Sequence, residues 1–379
     1  MSADAIQPVR IAMLPLTDAA PLVVAQDQGF FAEQGVDVCL ELRHSWASIR
    51  DALQLEDVDG AQLLPLMPMA CSLGLDGLPT PIDTLLTLNL NGNAISLATN
   101  IHEAMPGIAP FAESNDSPQR LAPVKTKGAI APPLDLPITP SARALEALVR
   151  QRQKQGLPPL RLAHVHPFSS HHYLLRGWLA SAGLDPDNDV ALRVVPPSLM
   201  VEQLSLGNID GFCAGAPWSD AAQAAGLAQP ICRCEELWPA AVEKVFGMRA
   251  DWVKAHPQEC EAVLKALLKA GEWLDASAEH RLAASHLLSD GGYLALPTEI
   301  IEKELYARYT QRRPGELPGM SFSGSIQRPE QQALAWYAQH VVRWASAFDK
   351  KALLDAINRT TQPGWYDHIQ RQRKLAATD

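Results

Sequence analysis

Strand, loop and helix follow one another in a repeated order along this chain, and that cadence constrains its fold more than any other feature. Val9 to Leu16 is an apolar run broken at Pro15-Leu16-Thr17-Asp18, and Ala19 to Gln28 then reads as a helix before Gly29. Val36 to Leu42 is rich in strand formers, Ser45 opens a helix through about Leu53, and Gly60-Ala61-Gln62-Leu63 reads as a short strand. The unit returns further on. A helix from Pro140 to Gln155 leads to the strand Leu160 to Val165. Ser169-Ser170 then start a helix that Gly183 ends, and the strands Val190 to Val195 and Ile209 to Ala214 follow. Alternation of this kind predicts an α/β architecture with mostly parallel sheets.

At 379 residues the chain exceeds what one core usually supports, so two lobes with a cleft between them are expected. Beyond Glu235 the pattern is chiefly helical, in Pro257 to Ala276, Pro297 to Tyr309 and Pro329 to Phe348, and these helices are expected to complete the first lobe. The stretch from about His102 to Pro140, with APPLDLP at 131 to 137, is Pro-rich and weakly periodic. It reads as an irregular surface excursion.

Apolar residues at 47% and charged residues at 20% suit a globular protein with a large core. A net charge of -10 without a basic run disfavours direct binding to nucleic acid or an anionic membrane, which need positive surface. An anionic ligand would therefore need a local positive pocket. Six cysteines are too sparse for a disulfide framework and read as reduced thiols. MSADAIQPVR lacks the basic start of an export signal, and no segment offers about 20 uninterrupted apolar residues, so the expected location is the cytoplasm.

The stretches VRIAMLPLTDAAPLVVAQDQGFFAEQGVDV (9 to 38), SWASIRDAL (45 to 53), DGAQLLPLMPMA (59 to 70) and LNLNGNAI (88 to 95) resemble the nitrate- and bicarbonate-binding proteins of ABC importers, the NrtA/CmpA family. The likeness returns in HHYLLRGWLASAGLDPDNDV (171 to 190), VVPPSLMVEQLSLGNIDGFCAGAPW (194 to 218) and EKVFGMRADWV (243 to 253). It implies a type II periplasmic-binding-protein fold, with the ligand in a hinge cleft. Residues 1–98 and 231–379 are then expected in lobe I and 99–230 in lobe II, with crossings near 96–102 and 219–235. Without an export leader, the chain looks like the NasS branch of cytoplasmic nitrate/nitrite sensors. That branch implies a NasT-like, RNA-binding antiterminator as partner. A substrate-binding component of a nitrate importer is the alternative.

Nitrate is a flat anion whose oxygens only accept hydrogen bonds, so a site for it needs convergent donors, one positive charge and dry walls. The resemblance implies such a set: Lys244 for charge, Trp46 for an indole N–H, Asn93 for an amide, His171 in the first turn of a helix, and Pro197 for a wall. Taken singly, each has a plainer reading. Trp46 would be core, Asn93 a turn residue, His171 a first-turn residue, and Lys244 half of a solvated pair with Glu243. The bicarbonate branch implies a calcium ion held in part by an acidic residue where Lys244 stands, which favours nitrate or nitrite. Ala216 stands where relatives commonly carry an acid.

His164, His166, His171 and His172 invite a metal reading, but residues 164 and 166 share a strand face whereas 171 and 172 diverge on a helix. Neither a metal nor another cofactor is expected. An enzyme on the same fold would need an activated thiol, and none of Cys39, Cys71 or Cys213 stands beside a visible base.

Overall fold

The computed structural model describes residues 7–107, 135–312, 319–345 and 347–376. Its strands in chain order are β1 (Val9–Met13), β2 (Val38–Leu42), β3 (Gly60–Leu63), β4 (Ile82–Leu90), β5 (Asn93–Ala98), β6 (Leu160–His164), β7 (Val190–Val194), β8 (Gly211–Gly215), β9 (Ala228–Arg233) and β10 (Val242–Arg249). They form two five-stranded sheets, ordered β2-β1-β3-β10-β4 and β7-β6-β8-β5-β9. In the first sheet β1 runs parallel to β2 and β3, while β10 is antiparallel to both β3 and β4. The second repeats that plan: β6 runs parallel to β7 and β8, and β5 is antiparallel to β8 and β9. Each sheet thus accepts one strand that enters from the other lobe. That exchange gives the two-lobed, periplasmic-binding-protein-like α/β fold, with mixed rather than mostly parallel sheets.

Sheet membership corrects the expected boundaries. Residues 93–98 pair with β8 on one side and with residues 228–233 on the other, all in the second sheet, because their backbone groups find ladder partners only there. The chain therefore crosses at Asn91-Gly92, between β4 and β5, and again between Arg233 and Val242. The second sheet also continues past residue 214, with β9 as its last strand in sequence. The Pro-rich stretch lies largely outside the described residues.

Local chemistry accounts for the element ends. Ser45 and Ser48 form a reciprocal capping box at the start of the helix Trp46–Gln54. Thr139 caps the helix Pro140–Lys154, and Ser169 accepts the His172 amide to cap the helix Ser170–Ser181. The helix Pro257–Ala276 packs against the helix Ala20–Asp27 and covers one face of the first sheet, as expected. The helix Gln331–Trp344 does something else. It packs on Ser170–Ser181 of the second lobe, and its Tyr337 hydroxyl donates to the Val242 carbonyl at 3.0 Å. The C-terminal helices thus touch both lobes rather than the first alone. Among the described residues no helix is long and apolar enough to cross a membrane.

Candidate functional site

The two sheets meet where β10 begins, and the ladder there is irregular. Between the pairs Val242 with Leu90 and Lys244 with Asn89, β10 advances two residues against one on β4. Glu243 is the extra residue of a β-bulge. In a regular strand neighbours point to opposite faces. Here the bulge lets Glu243 and Lys244 meet, with Lys244 Nζ 2.5 Å from Glu243 Oε1. The same ammonium lies 2.9 Å from Asp18 Oδ2, and Asp18 accepts from Gln62 Nε2 at 2.5 Å. Gln62 in turn accepts the Leu14 amide, tying the β1 loop to β3.

The second lobe supplies the other half. Asn93, the first residue of β5, donates its Nδ2 to Glu243, and the Ser170 hydroxyl lies 2.9 and 2.8 Å from the two Glu243 oxygens. His171 Nε2 is 3.3 Å from Glu243 Oε1 but is not aligned for a hydrogen bond. Trp46 closes the first-lobe side, its ring centroid 5.6 Å from the ammonium. Gly215, at the end of β8, faces the cluster: a Cβ there would lie 3.4 Å from Asp18 Oδ2, 3.5 Å from Asn93 Oδ1 and 3.6 Å from Lys244 Nζ.

Lys244 is 0% exposed, and Asp18, Glu243, Asn93, His171 and Trp46 are 1% exposed. The Glu243–Lys244 pair is therefore interior, contrary to the solvated-pair reading. A ligand can reach it only with the lobes apart. Burial raises Asp18, and it pushes Glu243 up to about 7 against the pull of the Lys244 ammonium. For Lys244 burial works toward the neutral amine, but Asp18 and Glu243 outweigh it, so the ammonium stays charged. His171 is held well below its ordinary value by burial and by Lys244, which keeps the imidazole neutral.

Several buried polar atoms here lack a hydrogen-bond partner: Trp46 Nε1, Asn93 Oδ1, His171 Nε2 and Thr17 Oγ1. Orphaned donors and acceptors in a sealed space are costly, and clustered ones mark where a polar ligand fits. A small anion seated among Trp46 Nε1, His171 and the Lys244 ammonium would find charge, donors and a flat indole face.

Trp46, Asn93, His171 and Lys244 thus come together around one point. Pro197 is buried in the turn Pro197–Leu199 and makes none of the polar contacts around Lys244. Ala216 joins the lobes through its backbone, donating to Gly92 O at 2.9 Å and accepting from Thr17 N at 3.0 Å. Sequence reasoning missed Asp18, Gln62, Ser170 as a Glu243 partner, Gly215, and Glu243 itself. The available signal for Asp18 was an acid set in an apolar loop after the first strand.

The histidine run separates. His164 Nε2 lies 3.0 Å from His172 Nδ1, whereas His166 Nε2 pairs across the lobes with Asp76 at 2.8 Å. Among the thiols, burial raises Cys71 and Cys260 to about 12 and holds Cys232 well above the ordinary thiol value, so these stay protonated at neutral pH.

The model of the NMT1-like family matches residues 3–289. The chain is 34% identical over 368 residues to the nitrate import ATP-binding protein NrtC of Synechocystis, spanning 95% of this chain and 49% of that one. It is 32% identical over 373 residues to the bicarbonate transport ATP-binding protein CmpC of Synechococcus elongatus, spanning 97% and 50%. The chain thus covers about half the length of these relatives. The crystal structure of the periplasmic nitrate-binding protein NrtA from Synechocystis superposes with a TM-score of 0.79 at 26% identity, over 96% of this chain and 88% of that one.

Proposed function

The chain belongs to the NMT1-like family, and from that membership we propose that it binds nitrate or nitrite beside Lys244 and acts as a cytoplasmic sensor for nitrate assimilation. Its ligand state would be read by a protein partner, an RNA-binding antiterminator of the NasT kind. The carrying observation is the fully buried Lys244 ammonium at the junction of the two sheets, with the Trp46 ring 5.6 Å away and its buried indole N–H without a partner. An ammonium shielded from water attracts an anion several-fold more strongly than one in bulk solvent. Glu243 meets Asn93 and Ser170 across the lobes, so an anion entering beside Lys244 would act on the same contacts that hold the lobes together. A partner that prefers one lobe arrangement would release or engage by no more than that difference. The antiterminator partner and the cytoplasmic setting rest on the resemblance to the sensor branch.

A substrate-binding part of a transport system is the second reading. It is favoured by relatives named for nitrate import and bicarbonate transport, of which this chain spans about half. Under either reading the chain binds rather than catalyses.

Calorimetric titration with nitrate, nitrite and bicarbonate, each with and without calcium, tests the ligand. Nitrate or nitrite should bind without calcium. Trp46→Phe, which keeps the ring but loses the unpartnered N–H, should weaken that binding about tenfold, the value of one hydrogen bond to a charged group, at unchanged melting temperature. No binding of any of the three anions would sink the proposal. Capture of an antiterminator that nitrate releases would favour the sensor, and ligand-independent capture would refute it.

A further inference from the structure

Lys244 is not a free positive charge waiting for an anion, because two carboxylates already neutralise it. With Asp18, Glu243 and Lys244 all ionised the cluster carries a net charge of -1, sealed from water. Adding a nitrate to that state would bring like charges within a few ångströms at low dielectric, which opposes binding. One carboxylate must therefore give up its charge. Asp18 is the worse candidate, since its two side-chain partners, Gln62 Nε2 and Lys244, can only donate, whereas the Ser170 hydroxyl beside Glu243 can also accept a proton's hydrogen bond. Glu243 stands at the junction of both lobes and faces the unpartnered atoms.

Resting on the reading of this site as an oxyanion site, we infer that Glu243 is the group that takes up a proton when the anion binds. An anion that only accepts hydrogen bonds, such as nitrate, enters together with one proton, which Glu243 takes from solvent and turns toward the ligand as an O–H donor.

The groups around Glu243 suit a proton that comes and goes. On its own strand stands Lys244, and the β1 loop brings Asp18. The helix Ser170–Ser181 presents Ser170, whose hydroxyl can donate to the carboxylate or accept from the acid, and neutral His171. From β5 comes Asn93, and from the C-terminal helix Tyr337, whose hydroxyl is committed to Val242 O. Cys213 and Cys234 lie behind, 4.0 Å apart, with Cys234 held protonated by its contact with Cys213 and by burial. None of these supplies a second positive charge that would lock Glu243 in its ionised form. Burial brings its midpoint to about 7, within reach of ordinary pH.

Calorimetry with nitrate in two buffers of different ionisation enthalpy, at pH 6 through 9, counts protons on the intact protein. Above pH 7 the wild type should take up about one proton per nitrate, and its affinity should fall toward tenfold per pH unit. Glu243→Gln should remove the uptake and bind nitrate at pH 9 about a hundredfold more tightly than wild type. Flat wild-type affinity with no uptake overturns the inference while leaving the oxyanion site standing, and this arm needs no variant to fold. Uptake that persists in Glu243→Gln also overturns it, by assigning the proton to another group. Failure of nitrate to bind at every pH would instead refute the underlying reading.

Discussion

Gly215 shows how one missing side chain can hold a site open. It sits at the end of β8, and the three atoms nearest a hypothetical Cβ belong to Asp18, Asn93 and Lys244, all at 3.4 to 3.6 Å. Those are ordinary van der Waals separations, so alanine is accommodated in the ligand-free fold. It would, however, occupy the space toward which these three groups converge. Gly215→Ala is expected to melt within about a degree or two of wild type, as for a strain-free surface-sized change, and to lose nitrate binding by tenfold or more in titration. A melting temperature far below wild type would show that the position has no spare room. Lys244 illustrates the opposite hazard: removing it strands two buried carboxylates, a change of about 3 to 5 kcal/mol in such settings, so its truncation mixes folding with binding.

At the scale of elements, the crossing Asn91-Gly92 is where the lobes are joined and constrained. Asn91 ties the two crossings together: its N–H donates to Ala241 O at 2.9 Å, its Nδ2 to Pro239 O at 3.0 Å, and its Oδ1 accepts from Ala241 N at 3.2 Å. Its φ of 61° is in the left-handed region, which asparagine tolerates. Gly92 follows at φ 100°, and a Cβ there would meet Met320 Cγ at 2.9 Å. Backbone strain and that contact both act against a side chain, so Gly92→Ala should cost about 1 to 3 kcal/mol. Urea denaturation measures it; a loss below about 0.5 kcal/mol would mean that the crossing is looser than its dihedral angles imply. The β-bulge at Glu243 belongs to this scale too, since a regular ladder would send Glu243 and Lys244 to opposite faces.

Across the whole molecule, the lobes are held by contacts whose charge depends on pH. Besides Glu243, Glu304 is 2% exposed, lies 3.1 Å from Arg308 and 3.8 Å from Arg233 of the second sheet, and is pushed up to about 8 by burial. An acid raised in the folded state stabilises the fold fully below its unfolded value near 4.5, and that contribution is lost as pH rises through the folded value. Buried His164, lowered to about 4 by burial, acts oppositely: its contribution is present above 6.5 and lost as pH falls toward 4. The two effects offset each other below 6.5, whereas only the acids act above it. The ligand-free protein should therefore melt at progressively lower temperature between pH 6.5 and 8, and Glu304→Gln should flatten that slope. A slope of the opposite sign would refute the assignment.

Much of the fold was legible because its causes are local. Strand runs, caps such as Ser45, Thr139 and Ser169, and terminating glycines are written within a few residues of the elements they shape, and chain length alone implies more than one lobe. The motif resemblance carried Trp46, Asn93, His171 and Lys244 to one site without geometry. What only the tertiary structure decided is the state of that site. Glu243 and Asn93 stand 150 residues apart in sequence, and their contact depends on two chain crossings that no local pattern encodes. Whether Lys244 is a solvated surface charge or a sealed one shared by two acids depends on burial and on distances of a few ångströms between remote segments. Coulomb and desolvation energies vary steeply with both, so residue type by itself leaves them undetermined.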